Sequence, residues 1–156
     1  MKMKRALVLV LLLFVAMSGY AQRAANTAGV SRSQQANQGL TAGDLSRIVQ
    51  QCVDLRELQA FYPAGQVSIL NYPYDFPAET KVTKGSQNVN FISQKAFSPT
   101  IMSNYFMFRS IQQTGNTVSV VANYFYERNG AKANKSIAID YTNTSGVWTI
   151  SKSTIN

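Results

Sequence analysis

This chain has no histidine and one cysteine in 156 residues, and charged side chains make up only 14% of it. Without histidine it lacks the commonest general base at neutral pH and the commonest ligand for zinc and other transition metals. That excludes most familiar hydrolase arrangements, and no catalytic residue, metal ligand or cofactor is assigned. A lone cysteine cannot close an intramolecular disulfide, so stability has to come from packing. Cys52 falls within a helical apolar pattern and reads as a buried, inert thiol. A glycine-rich phosphate loop, a Gly-x-Ser-x-Gly elbow and a calcium loop are also missing. Seven carboxylates remain, Asp44, Asp54, Glu57, Asp75, Glu79, Glu127 and Asp140, and no spacing singles out the pair a glycosidase would use.

Long apolar runs are confined to the start. Lys2, Lys4 and Arg5 precede an apolar stretch from Ala6 to Met17, and Ser18-Gly19-Tyr20-Ala21 ends it in small residues. This order reads as an export signal over residues 1–21, cleaved after Ala21. The stretch is about a dozen residues, short of the roughly 20 that span a membrane, and Gln22 stands where a bacterial lipoprotein needs cysteine. The expected location is secreted or periplasmic, with no membrane anchor. Basic residues outnumber acidic ones 15 to 7; once Lys2, Lys4 and Arg5 leave with the signal, 12 face 7, a balance of +5. They form no dense run, so nucleic acid is not an expected partner.

Residues 22–40 are mostly Ala, Asn, Gln, Ser and Gly, too poor in large apolar side chains to offset their ordering entropy, and read as a flexible tether. A single domain is expected over residues 41–156. Thr41 suits a helix cap, and Leu45, Ile48, Val49 and Cys52 fall on one helical face. Arg56 joins that face if the helix runs straight, but Asp54 followed by Glu57 resembles a capping box and predicts a break near Asp54. Pro63 and Gly65 end the helical stretch. Residues 67–71 suit a short strand. Tyr72-Pro73-Tyr74-Asp75-Phe76-Pro77 reads as a loop or edge because of its prolines. Residues 80–83 and 88–93 flank a small hairpin turn at 84–87.

Four strand-like runs follow, over residues 104–112, 117–127, 135–142 and 147–153, separated by Thr114-Gly115-Asn116, Asn129-Gly130 and Asn143 to Gly146. Asn-Gly is a strong hairpin signal because both residues tolerate positive φ. Val118, Val120, Ala122, Tyr124 and Tyr126 share one face of the second run; Ile137, Ile139 and Tyr141 of the third; Trp148 and Ile150 of the fourth. Ser119, Asn123, Ser136, Asp140, Thr149 and Ser151 occupy the opposite, wet face. The fold class is therefore α+β, an N-terminal helix packed on an antiparallel β-meander. From Thr41 to Asn156 this order of elements resembles the cystatin-like fold and the cone-shaped nuclear-transport-factor-like fold. The Gln-Val-x-Val-Gly hairpin of cystatin inhibitors is missing, and so is the histidine that cone-shaped enzymes place in their cavity, so neither activity is implied.

Candidate ligand-binding residues are aromatic. Phe125 emerges on the polar face and, with Phe106 and Phe108 from the neighbouring strand, forms either a second small core covered by the N-terminal hairpin or the Tyr72–Phe76 loop, which is the favoured reading, or an exposed apolar patch that would mark a binding surface. Tyr72, Tyr74 and Phe76 either pack over a core edge, the favoured reading, or offer a ligand-facing loop, and Tyr124 and Trp148 line either a closed core or a concave pocket against the helix. Arg128, Lys132 and Lys135 around Asn129-Gly130 make the densest basic spot, which reads first as a solvated hairpin tip whose charges discourage edge-to-edge pairing and second as a site for an acidic glycan or a phosphate. The leading functional reading is a small exported non-catalytic binding or interaction module for a peptide, glycan or apolar ligand. The alternative is an accessory domain of the cell envelope that recognises a protein through a sheet edge. A histidine-independent glycosidase comes third.

Overall fold

The structure, a computed structural model, describes residues 39–63 and 65–156, all within one compact unit, Ala36–Asn156. The export signal and nearly all of the tether read from the sequence lie outside the described residues.

Helix α1 spans Ala42–Val53. Thr41 Oγ1 accepts the Asp44 N–H at 3.1 Å and Asp44 Oδ2 accepts the Thr41 N–H at 3.2 Å, a reciprocal capping box. The chain leaves the helix at Asp54, whose N–H bonds back to Gln50 O at 2.8 Å. A 3-10 helix, Arg56–Phe61, follows, and its cap position holds Leu55 with no side-chain bond. The break near Asp54 is present, but the expected Asp54–Glu57 capping box is not. Asp54 instead accepts from Gln50 Nε2 at 2.8 Å, and the change of helix type turns Arg56 outward while Leu58 takes the buried position.

Eight strands follow: β1 (Ser68–Asn71), β2 (Thr83–Lys84), β3 (Gln87–Asn88), β4 (Asn90–Ser93), β5 (Tyr105–Thr114), β6 (Thr117–Arg128), β7 (Ala131–Thr144) and β8 (Val147–Ile155). Six form one sheet in the order β4-β1-β5-β6-β7-β8, and β2 and β3 form a separate two-stranded hairpin. The fold is α+β, but the sheet is mixed. Strands β5 to β8 are an antiparallel meander, whereas β1 pairs in parallel with both β4 and β5. The expected hairpin arm over residues 88–93 is therefore divided. Val89 N–H bonds to Val82 O at 2.9 Å, and beyond it the chain joins β1, where Phe91 meets Phe76 at 5.3 Å between ring centroids.

The meander turns follow the sequence signals. Asn129 and Gly130 have φ of 54° and 75°, and Ser145 and Gly146 have 54° and 84°, the two successive positive values of a type I′ hairpin. The core lies between α1, the 3-10 helix and the inner face of the sheet. Leu45, Ile48, Val49 and Cys52 meet Val118, Val120, Tyr124, Ile137, Ile139, Tyr141 and Trp148 in one buried cluster. Each large side chain there contributes about 1.5–3 kcal/mol by leaving water. Tyr141 Oη donates to Ile48 O at 3.0 Å, satisfying its hydroxyl within that apolar layer.

Side-chain bonds hold α1 on both flanks. Gln50 Oε1 accepts the Thr83 N–H at 2.8 Å and Gln50 Nε2 donates to Thr83 O at 2.9 Å, an amide imitating a strand partner for the β2–β3 hairpin. On the other flank Asp44 Oδ1 accepts from Trp148 Nε1 at 3.1 Å and Gln51 Nε2 donates to Trp148 O at 2.9 Å.

Candidate functional site

The inner face is a closed core, not the wall of a pocket. Trp148 is 4% exposed, and Tyr124, Phe106 and Phe108 are fully buried. Phe106 lies 4.7 Å from Tyr124 and 6.0 Å from Phe108 between ring centroids, and Phe76 meets Phe108 edge-on at 5.4 Å. Tyr74 and Phe76 are buried as well, packed on each other at 4.7 Å, so the aromatic loop turns two of its three rings inward. Asn71 fixes that loop by donating to Asp75 Oδ1 at 2.8 Å and accepting the Phe76 N–H at 2.7 Å. Tyr72 alone stays out, 47% exposed.

Phe106, Phe108 and Phe125 do not come together on one face, and a bulge is the reason. The two-residue Gly115-Asn116 turn pairs Thr114 with Thr117, and the same register holds back to Ser110 opposite Val121. Continued unbroken, it would set Phe106 opposite Phe125. One extra residue, Arg109, enters between Phe108, which faces Ala122, and Ser110. A one-residue slip exchanges the two faces of everything beyond it. Phe106 and Phe108 therefore turn inward, while Tyr105 and Met107 turn outward. The sequence carried the signal in the inward spacing Phe106, Phe108, Ile111, which departs from period two at Arg109-Ser110.

The residues that do gather on the outer face are Tyr105, Phe125 and Phe97. Tyr105 and Phe125 are register partners, with rings stacked at 4.8 Å and 15°. Phe97 meets Tyr105 edge-on at 4.8 Å. Burial in this second small cluster pushes the Tyr105 hydroxyl above its ordinary pKa. Beside it is a pocket of about 100 Å³ lined by Pro99, Met102, Tyr105, Phe125, Lys132 and Ala133, smaller than the few hundred Å³ typical of small-molecule sites. Its rim is the turn carrying Ile101, 83% exposed, which Lys132 Nζ holds by donating to the carbonyls of Pro99 and Thr100.

Next to the aromatic pair is a polar group that the sequence placed among wet residues. Asn123 is only 7% exposed. Its Oδ1 accepts from Arg109 Nε at 2.8 Å, and its Nδ2 reaches Asn134 Oδ1 at 3.4 Å and Ser136 Oγ at 3.3 Å. One buried amide thus orients three outward side chains from the two neighbouring strands, β5 and β7. Arg109 was not singled out by the sequence, because its role depends on the bulge that aims it.

The basic spot at the β6–β7 turn does not assemble. Lys135 pairs in register with Tyr124 on the inner side, its Nζ 5.1 Å from the Phe61 ring centroid, while Lys132 on the other face is spent on backbone carbonyls. Among the described residues no group of three or more carboxylate or thiol side chains is placed to hold a metal. Asp44, Asp54, Asp75 and Asp140 each accept a hydrogen bond from a neighbouring side chain. Cys52 is fully buried, and burial pushes its thiol up to about 12. No family model, curated protein or solved structure matches this chain.

Proposed function

We propose that this chain is an exported, non-catalytic binding module that takes its ligand on the outer face of strands β5 to β7. The observation that carries this reading is the division of the aromatic residues. The inner rings are consumed by the core, whereas Tyr105 and Phe125 stack on the opposite face beside a pocket and an oriented polar group. Export rests on residues 1–21, and the lone Cys52 leaves the domain to rely on packing although that compartment would permit disulfides. The helix laid across four antiparallel strands supports describing the fold as a roll of the cystatin-like or nuclear-transport-factor-like kind, which by itself assigns no ligand.

The test is a Phe125→Ser variant screened beside wild type on arrays of glycans and of peptides. Phe125 is only half-buried at the sheet surface, so the variant should fold, with a melting temperature a few degrees lower. It should lose ligands that wild type retains. A variant that binds everything wild type binds removes the outer face as the site.

A second reading has its own observation. Strand β8 is a nine-residue edge paired only with β7, and its side chains beyond Trp148 are exposed up to Thr154. Gln51 caps the Trp148 carbonyl, while Ile150, 38% exposed, marks the part of the edge beyond that cap. An accessory domain that adds a partner's strand there would follow the sheet-edge mode. Loss of partner binding in Ser153→Pro, with Phe125→Ser neutral, would favour this reading over the first.

A further inference from the structure

We propose that the outer face binds a carboxylate-bearing sugar, with the sugar ring on Phe125 and its carboxylate on the guanidinium of Arg109. The assignment rests on the outer-face reading above and names its ligand class.

Three observations converge. First, the bulge that re-aims Arg109 and the amide that holds it act together. Asn123 Oδ1 takes the Nε–H at 2.8 Å, and among the described residues Arg109 forms no other hydrogen bond and no ion pair. Of the five N–H donors of a guanidinium, four remain for a ligand, in the planar fork that matches a carboxylate. Second, Phe125 is stacked on Tyr105 through one ring face, which leaves its other face turned away from β5 toward β7. Its register partner there is Asn134, exposed and held by Asn123, with Ser136 two residues along the same face. An aromatic face bordered by planar amides and a hydroxyl suits the apolar face and the equatorial hydroxyls of a pyranose. Third, the free groups are donors. The Arg109 terminal nitrogens, the Asn134 amide hydrogens and the Ser136 hydroxyl call for an acceptor-rich ligand.

The dimensions agree. Phe125 and Asn123 are two residues apart on one strand, about 7 Å at the rise of an antiparallel strand. A sugar ring with its carboxylate, met by the long Arg109 side chain, covers that span. Charge decides between neutral and acidic sugars. No ion pair forms among the described residues, so the Arg109 charge is not compensated by a protein carboxylate; of the two carboxylates on this face, Asp140 is taken up by Ser119 Oγ at 2.7 Å, and Glu127 lies beyond Phe125 on the side away from Asn123, opposite Lys132.

The experiment records amide shifts of the full exported chain, titrated with tetragalacturonate, a hyaluronan tetrasaccharide and 3′-sialyllactose. Methyl-esterified tetragalacturonate, maltotetraose and polyaspartate serve as controls. At least one acidic sugar should shift Arg109, Asn123, Phe125 and Asn134 saturably. For tetragalacturonate as that ligand, the methyl ester should bind about tenfold more weakly, the loss of a charge-assisted pair. Arg109→Gln should lose about tenfold for the acid and bring it level with the methyl ester. Equal binding of acidic and neutral sugars at these residues would overturn the carboxylate assignment and leave the outer-face reading standing. Equal binding of polyaspartate would reduce the site to a general anion patch and overturn it too. If none of the three acidic sugars shifts these residues, the ligand class is wrong, and the Phe125→Ser array experiment then decides the reading beneath it.

Discussion

Replacing Asp44 by alanine should cost the domain about 2 kcal/mol, because one carboxylate performs two separate tasks. Its Oδ2 closes the capping box with the Thr41 N–H at 3.2 Å and the Thr41 hydroxyl at 2.7 Å, while its Oδ1 accepts from Trp148 Nε1 at 3.1 Å across the helix–sheet junction. Loss of a cap typically costs about 1 kcal/mol. The tryptophan bond adds about 1 kcal/mol, at the lower end for a charged acceptor because Asp44 is partly solvated. For a domain of this size the melting temperature should fall by roughly 10 °C. Trp148 is the only tryptophan, so its emission reports this junction alone. In a double-mutant cycle with Trp148→Phe the coupling energy should be about 1 kcal/mol.

Acid supplies an independent check on the same carboxylate. The Thr41 side-chain hydrogen bond is the largest influence on Asp44 and, with lesser help from the Thr41 N–H, Trp148 and Arg47, holds its pKa below the ordinary 3.8 against the opposing effect of burial. A carboxylate depressed in the folded state binds fewer protons there than in the unfolded chain. Its stabilisation is therefore complete above about pH 4 and disappears as pH falls through the depressed value. The stability difference between wild type and Asp44→Asn should accordingly be constant from pH 7 to 5 and shrink below pH 4. A loss under 0.5 kcal/mol in Asp44→Ala at pH 7, or a difference from Asp44→Asn that does not change with acid, would refute the double role.

Gly130→Val should destabilise by about 1 kcal/mol or more through backbone strain at φ 75°, since a Cβ there meets nothing within 4 Å and no clash contributes; an unchanged urea midpoint would contradict a type I′ turn. Gln50→Ala should release the β2–β3 hairpin, so that hydrogen exchange at the Thr83 amide accelerates by tenfold or more while amides of β6 and β7 keep their protection. Cys52, with its thiol raised to about 12 and fully buried, should not react with a disulfide reagent at pH 8 until the domain unfolds; labelling in the native state within minutes would contradict the closed core.

Local signals made the meander legible. Thr41 begins α1, Leu45, Ile48, Val49 and Cys52 define its buried face, and Asn129-Gly130 forms its predicted turn, each because the relevant physics acts within a few residues. Two kinds of information were not local. The parallel pairing of β1 with β4 and β5 depends on long crossovers that leave no short-range signature, so residues 88–93 read as a hairpin arm. The faces of β5 and β8 depend on bulges. In β8 the slip falls between Lys152, opposite Asp140, and Ile150, opposite Tyr141, with Ser151 as the extra residue. Ile150 still shares the inner side with Trp148 but lies 38% exposed, where the sequence placed both against the helix.

The bulge at Arg109 links these errors to function. Periodic alternation can state that a strand has two faces, but which aromatic rings fall on which face is decided by a single unpaired residue. In β5 that residue sends Phe106 and Phe108 into the core and brings Tyr105 beside Phe125. It also sets an arginine against the buried amide of Asn123. Of the aromatic candidates read from the sequence, Tyr74, Phe76, Phe106, Phe108, Tyr124 and Trp148 are therefore parts of the stability of the domain, and truncating any of them would abolish binding by unfolding it. Only Phe125 and Tyr72 can be changed without opening the core. Deleting Arg109 outright would close the ladder with Phe108 still opposite Ala122 and Phe106 opposite Tyr124, but it would remove the bulge together with the arginine, so a binding defect in the deletion could not be assigned to the charge. Arg109→Gln keeps the extra residue and removes only the charge, which makes substitution at the bulge the informative perturbation of this face.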